Sequence, residues 1–202
     1  MQKRAHAFGG RRGAADAARV RYLQIDEAQR LINACDPEFR ALVRAALATG
    51  ARYSELANLR VADFNPDAGT VQVRASKSGK GRHIVLTEEG IRQFDGLCAG
   101  RTAIGWILLK GDGSKWLKSH QTRPMREACV RAGITPLASF HALRHTYASL
   151  SIMGGAPLLV VATNLGHSDT RMVEKHYGHL ATGYIANEIR KAAPRFEPHP
   201  RC

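Results

Sequence analysis

The chain has 202 residues, 44% of them hydrophobic, enough to bury one good core and near the upper end of common single-domain lengths. Lysine and arginine number 30 against 17 acids, for a formal charge of +13, so the molecule attracts polyanions and nucleic acid is the first partner to test. The four cysteines, Cys35, Cys98, Cys129 and Cys202, form no C-x-x-C pair, which argues against a zinc ribbon or thioredoxin-like site; no apolar run approaches the roughly 20 residues of a membrane span, and the start lacks the apolar centre of a secretory signal.

Residues 1–21 are rich in Arg, Ala and Gly and poor in acids, and read as a basic linker or arm without fixed structure. From Tyr22 the composition turns globular. Ile25-Asp26-Glu27-Ala28 opens a helix with acids in its first turn, ending near Cys35. Asp36 and Pro37 restart the chain, and Phe39, Leu42, Val43, Ala46 and Leu47 repeat at i, i+3, i+4 up to a stop at Gly50. A third helix is predicted over 53–59. The period then changes: 70–74 and 83–86 are short β-branched runs around a glycine-bearing turn at 76–81, and 106–109 offers a third strand. Beyond Ser119, helices are predicted at about 119–132, 138–153, 157–165, 169–177 and 182–192, broken by Gly133, Gly154-Gly155 and Gly166. The expected fold is therefore α+β, mostly α-helical, with a small three-stranded antiparallel sheet, one domain over 22–193 and a tail over 194–202.

Three islands carry chemistry: Thr49-Gly50-Ala51-Arg52-Tyr53-Ser54-Glu55-Leu56, His141-Ala142-Leu143-Arg144-His145, and Leu165-Gly166-His167 followed by Tyr177. On a helix His141 and Arg144 share a face, and Arg52 follows Gly50 at a helix start, so two guanidinium groups can meet one phosphate. Arginine pairs bidentately with phosphate and stays protonated at any working pH, which suits it to charge growing on a phosphodiester under attack by a phenol. A phenol ionises near pH 10, so its proton needs an acceptor, and the departing sugar oxygen needs a donor. His141, His167 and Lys77 are available for those tasks.

The order Arg, Lys, His-x-x-Arg, Gly-His, Tyr resembles the signature of the tyrosine recombinases of the phage integrase family, over roughly residues 22 to 180. TGARYSEL resembles the family's first arginine box, HALRHTYAS its second, and LGHSDTRMVEKHYGHL its histidine and nucleophile box. The resemblance implies a recombinase catalytic-domain fold and DNA breaking and rejoining without metal, ATP or other cofactor. It implies that Arg52 and Arg144 bind the scissile phosphate, His141 assists proton transfer at the nucleophile, and His167 donates a hydrogen bond to the phosphate. Tyr177 would form a 3′-phosphotyrosyl bond. The family's hairpin lysine, general acid for the leaving 5′-hydroxyl, corresponds to Lys77, with Lys80 as the competing assignment. Glu55 matches a supporting acidic position that orients nearby donors. The implied partners are double-stranded DNA, three further copies of the chain on paired DNA sites, and accessory DNA-bending proteins, with no membrane; the implied location is the cytoplasm, at the nucleoid.

Bland readings stand beside these. His145, His176 and His179 read as structural, and Tyr53 and Tyr147 as core residues. His141 and His145 at i and i+4 suggest a zincin-type metal pair, but the glutamate that chemistry needs would sit at position 142, which is Ala. A histidine-based metallohydrolase and a DNA-binding remnant without turnover are the rival functions. Family members usually carry a helical core-binding domain ahead of the catalytic one, and with only about 21 residues before the first helix that half is expected to be missing here. The segment after Tyr177, with Ile185 and Ile189, is expected to dock on a neighbouring protomer or fold back.

Overall fold

Helix α1 (Ile25–Ala34) begins with a reciprocal cap between Gln24 and Glu27, and helix α2 (Pro37–Thr49) takes its proline in the first turn, where the missing N–H costs nothing. These are the helices the sequence predicts, and the computed structural model describes them within residues 20–74, 81–167, 169–178, 189–190 and 192–194. The expected basic arm up to residue 19, the hairpin residues 75–80 with Lys77 and Lys80, His179, Ile185 and nearly all of the expected helix over 182–192 lie outside the described residues. Helix α3 (Tyr53–Leu56) is a single turn, shorter than predicted. It leads through a 3-10 turn (Val61–Asp63) into the sheet.

The sheet is three-stranded and antiparallel as expected, in the order β1 (Phe64–Asn65), β2 (Thr70–Val73), β3 (Arg82–Val85). Its edge is not the predicted one. Residues 106–109 make only isolated bridges, Arg60 with Trp106 and Leu109 with Lys115, while Phe64 and Asn65 pair with Val71 and Thr70. The reason is proximity in the chain: Asn65 to Thr70 closes a tight hairpin in which Asn65 Oδ1 accepts from the Ala68 amide at 3.0 Å and Gly69 adopts φ 61°. The apolar run at 106–109 is spent instead on the core, with Ile107 and Leu108 fully buried.

Helix α4 (Glu88–Cys98) was not anticipated, although Thr87 caps it by accepting from the Gly90 amide and Glu88 and Glu89 occupy its first turn. Helices α5 (Thr122–Arg131), α6 (Phe140–Met153), α7 (Leu158–Leu165) and α8 (Arg171–Tyr177) fall inside or close to the predicted spans. Among the described residues, no helix is long and apolar enough to cross a membrane.

Two apolar clusters organise the chain. The larger joins Phe39 and Leu42 of α2, Val71 and Ile84 of the sheet, Phe94 of α4 and Leu143 of α6. The smaller joins Ala148 and Ile152 of α6 to Val161, Ala162 and Leu165 of α7 and Val173 and Tyr177 of α8. Helix α6 belongs to both, with its first half in one cluster and its second half in the other, so residues 141–145 sit at the seam.

Candidate functional site

Two left-handed glycines place the elements of the site. Gly50 ends α2 at φ 63°, and a Cβ there would stand 2.5 Å from the Tyr147 ring and 2.8 Å from the Leu165 side chain. Gly166 ends α7 at φ 73°, with the Arg82 guanidinium where a Cβ would go, 2.9 Å away. Only glycine meets both the backbone angle and the close approach. Each turn is followed within two residues by a side chain singled out in the sequence, Arg52 after Gly50 and His167 after Gly166.

Arg52 is anchored by Glu55, whose Oε1 accepts from Arg52 Nη1 at 3.0 Å and whose Oε2 accepts from the Arg52 amide at 2.7 Å. The same carboxylate takes a two-pronged pair from Arg82, Nη1 to Oε1 and Nη2 to Oε2, each at 3.0 Å. Arg82, only 9% exposed, also donates Nε to the Asn164 carbonyl at 2.7 Å, tying β3 to α7. Burial alone would raise the Glu55 carboxyl, but the bonds from Arg82 and the Arg52 amide, with both positive charges, hold it at about 2. The supporting acid of the sequence reading thus has two clients. Arg82, the second of them, was not singled out in the sequence.

Arg144 is buried and stands between the ends of two helices. Its Nη1 donates to the Gly50 carbonyl at 2.9 Å and its Nη2 to the Leu165 carbonyl at 2.7 Å, with His167 Nε2 a further 3.2 Å contact. A guanidinium only donates, so His167 Nε2 accepts and its ring proton sits on Nδ1. Burial and the neighbouring Arg52 lower the Arg144 pKa to about 10, which leaves it charged at neutral pH. Burial, then Arg144, Arg52 and Arg82, lowers the His167 pKa and keeps it neutral. Arg52, His141 and Arg144 line one small cleft of about 120 Å³ together with Gln121, whose buried Oε1 has no hydrogen-bond partner among the described residues. His141 is an exposed residue, yet partial burial and then Arg144 and Arg52 lower its pKa.

Tyr177 closes the group from α8. It is 5% exposed, packed in the smaller cluster, and burial pushes its phenol up to about 12 against the pull of Arg144. Its hydroxyl is hydrogen-bonded to His145 Nδ1, so the residue read as structural is the one that touches the phenol. The signal was present: position 145 follows 141 by one helical turn and shares its face, a spacing weighed only as a metal pair. The rival phenols are engaged elsewhere, Tyr53 donating to the Leu117 carbonyl at 2.6 Å and Tyr147 accepting from Asn164 Nδ2 at 2.7 Å. Five of the six expected residues, Arg52, His141, Arg144, His167 and Tyr177, therefore converge. The sixth, Lys77, lies outside the described residues; Arg82, at the start of β3, shares Glu55 with Arg52. Three guanidinium groups against one carboxylate make a site that favours an anion with several oxygens.

Comparison with known proteins bears on the family and the fold. The profile described as the phage integrase family matches residues 21–183. The integrase of Salmonella phage P22 is 30% identical over 190 residues, covering 86% of this chain and 47% of that protein. Tyrosine recombinase XerD of Mycobacterium tuberculosis is 30% identical over 171 residues, covering 81% of this chain and 52% of its own length. The chain thus spans about half the length of these curated relatives. Among solved structures, the XerA recombinase superimposes with a TM-score of 0.70 at 27% identity, over 88% of this chain and 67% of that one. The catalytic domain of bacteriophage HP1 integrase gives 0.64 at 28% identity, over 89% and 98% of the two chains.

Proposed function

This chain belongs to the phage integrase family, and from that premise we propose that residues 22–193 are the catalytic domain of a site-specific DNA recombinase or integrase that cleaves and rejoins strands through a covalent 3′-phosphotyrosyl intermediate. The observation that carries the reading is the convergence of Arg52, His141 and Arg144 on one cleft, with His167 on Arg144 and Tyr177 near enough to feel its charge. Arg52 and Arg144 hold the nonbridging oxygens of the scissile phosphate. Among the described residues Arg144 keeps Nε and one Nη1 hydrogen uncommitted, and Arg52 keeps Nε and Nη2. Because guanidinium groups supply the cations, the step needs no metal. Because the broken phosphodiester is exchanged for a phosphotyrosyl ester of similar energy, it needs no nucleotide either.

In cleavage the Tyr177 Oη–P bond forms as the P–O5′ bond breaks. The phenolic proton leaves to an imidazole, a task in which His141 assists, and the leaving oxygen takes a proton from Lys77. His167 donates Nδ1–H to the phosphate. Rejoining reverses each transfer. The substrate is double-stranded DNA, in keeping with the +13 charge, and the working assembly is a homotetramer on paired sites with accessory DNA-bending proteins, at the nucleoid in the cytoplasm. Residues 1–21 serve as a basic linker or arm and 194–202 as a tail.

Supercoiled plasmid incubated with the protein in a metal chelator and quenched with detergent tests the reading. Relaxed circles and protein attached to 3′ ends, both lost in Tyr177→Phe, are expected. Relaxation that persists in Tyr177→Phe rules out this nucleophile.

A further inference from the structure

Within the recombinase reading His141 is the imidazole assigned to the nucleophile, yet the group in contact with the phenol is His145. Its Nδ1 is bonded to the Tyr177 hydroxyl, and its ring lies 6.0 Å from the Tyr177 ring and 4.6 Å, edge-on, from the His141 ring. Tyr177 packs in the apolar cluster with Ile152, Leu165 and Val173, whose side chains offer no acceptor, and a buried hydroxyl without one is costly. The two histidines therefore form a file along one face of α6, from His145 at the buried Tyr177 phenol to the exposed His141 that lines the cleft.

We propose that His145 is a catalytic residue of strand cleavage: its Nδ1 accepts the Tyr177 hydroxyl hydrogen, fixes the phenolic oxygen, and takes the proton as that oxygen attacks phosphorus, with His141 next in line toward solvent. The inference rests on the recombinase reading. In the step Oη–H breaks and Nδ1–H forms while Oη–P forms and P–O5′ breaks; the leaving oxygen is protonated by a separate acid, and on rejoining the proton returns from Nδ1 to Oη. The charges around the pair fit a base that waits. Burial, then His141, His176 and Arg144, brings the His145 pKa down to about 4, so its Nδ1 lone pair is open at neutral pH, while burial keeps the phenol protonated. An arriving phosphodiester sets negative charge among these same groups and Arg52, which raises the basicity of the imidazole only when there is something to cleave.

The full chain labelled with 15N-histidine and with 13C at Tyr Cζ reports the contact without DNA. A neutral His145 protonated on Nε2, whose Nδ1 resonance moves in Tyr177→Phe, is expected. An Nδ1 resonance indifferent to Tyr177→Phe, or a His145 that titrates at the ordinary imidazole value, overturns the inference. In plasmid relaxation, His145→Ala should slow cleavage by roughly 10²–10³-fold. His145→Asn, whose Oδ1 can accept the same hydrogen bond but cannot take the proton, should restore the Tyr177 resonance, recover only part of the rate and flatten the acid limb of the pH–rate profile. A wild type that cleaves beside an equally active His145→Ala overturns this inference alone. A wild type that leaves the plasmid intact overturns the recombinase reading and this inference with it.

Discussion

Arg52 and Arg144 are held by charge and by backbone, Arg52 on a carboxylate that Arg82 also grips and Arg144 on two helix-end carbonyls, whereas Tyr177 is held by apolar neighbours and one imidazole. The first arrangement is expensive to deform, because moving Glu55, Arg82 or Arg144 strands a largely buried charge away from water. The second is cheap to deform, since the phenol surrenders one neutral hydrogen bond and some packing. The contrast fits the chemistry each side must do. Groups that stabilise developing charge work best when they do not reorganise, and the atom that forms and breaks a bond must be free to move onto phosphorus and back.

The largest effect expected separates the two sides outright. Tyr177→Phe should abolish the covalent adduct while changing unfolding free energy by only about 1 kcal/mol, measured by denaturant titration; a larger loss would mean the phenol belongs to the framework as much as Arg144 does. On the other side, Glu55→Ala leaves Arg82 buried without its carboxylate and should cost about 3–5 kcal/mol, together with cleavage. If the variant unfolds like wild type, the charged half is not the rigid one. Gly50→Ala drives a Cβ into Tyr147 and Leu165 at a left-handed residue, and should cost about 1–3 kcal/mol or more and lower cleavage through Arg52 and Arg144.

Acid should expose the same division more gently. Glu55, held at about 2 against an ordinary 4.5, binds its proton less readily folded than unfolded, so its contribution is whole above about pH 4.5 and drains as pH falls toward 2. His145, lowered from 6.5 to about 4, has the same sign and loses its contribution between those values. Unfolding free energy measured across pH should therefore fall in two stages, the upper reduced in His145→Asn, where His141 and His167 still contribute, and the lower reduced in Glu55→Gln. Curves unaltered by either substitution would contradict the assignment.

Much of this was legible in the sequence where one residue dictates its own geometry. Pro37 opens α2 and Gly50 closes it; Gly166 closes α7; Tyr177 falls at the end of α8. What could not be read depended on choices among partners. The apolar run at 106–109 suits a strand or a core filler equally, and a two-residue hairpin neighbour took the sheet edge first. Helix α4 hides its apolar face, Ile91 and Phe94, between Gly90 and Gly96, which blur a helical pattern although Thr87-Glu88-Glu89 announced the start. Arg82 and His145 are ordinary residues until Glu55 and Tyr177 are seen beside them.

The two carbonyls that receive Arg144 have one more consequence. Helix ends gather partial negative charge, and Arg144 is the strut that joins the end of α2 to the end of α7. A descendant of this protein that had given up cutting DNA would still need that strut to stay folded, while nothing in the framework would make it keep the phenol of Tyr177. Across a set of related chains, the arginine would then testify to the fold and the tyrosine to the trade it plies.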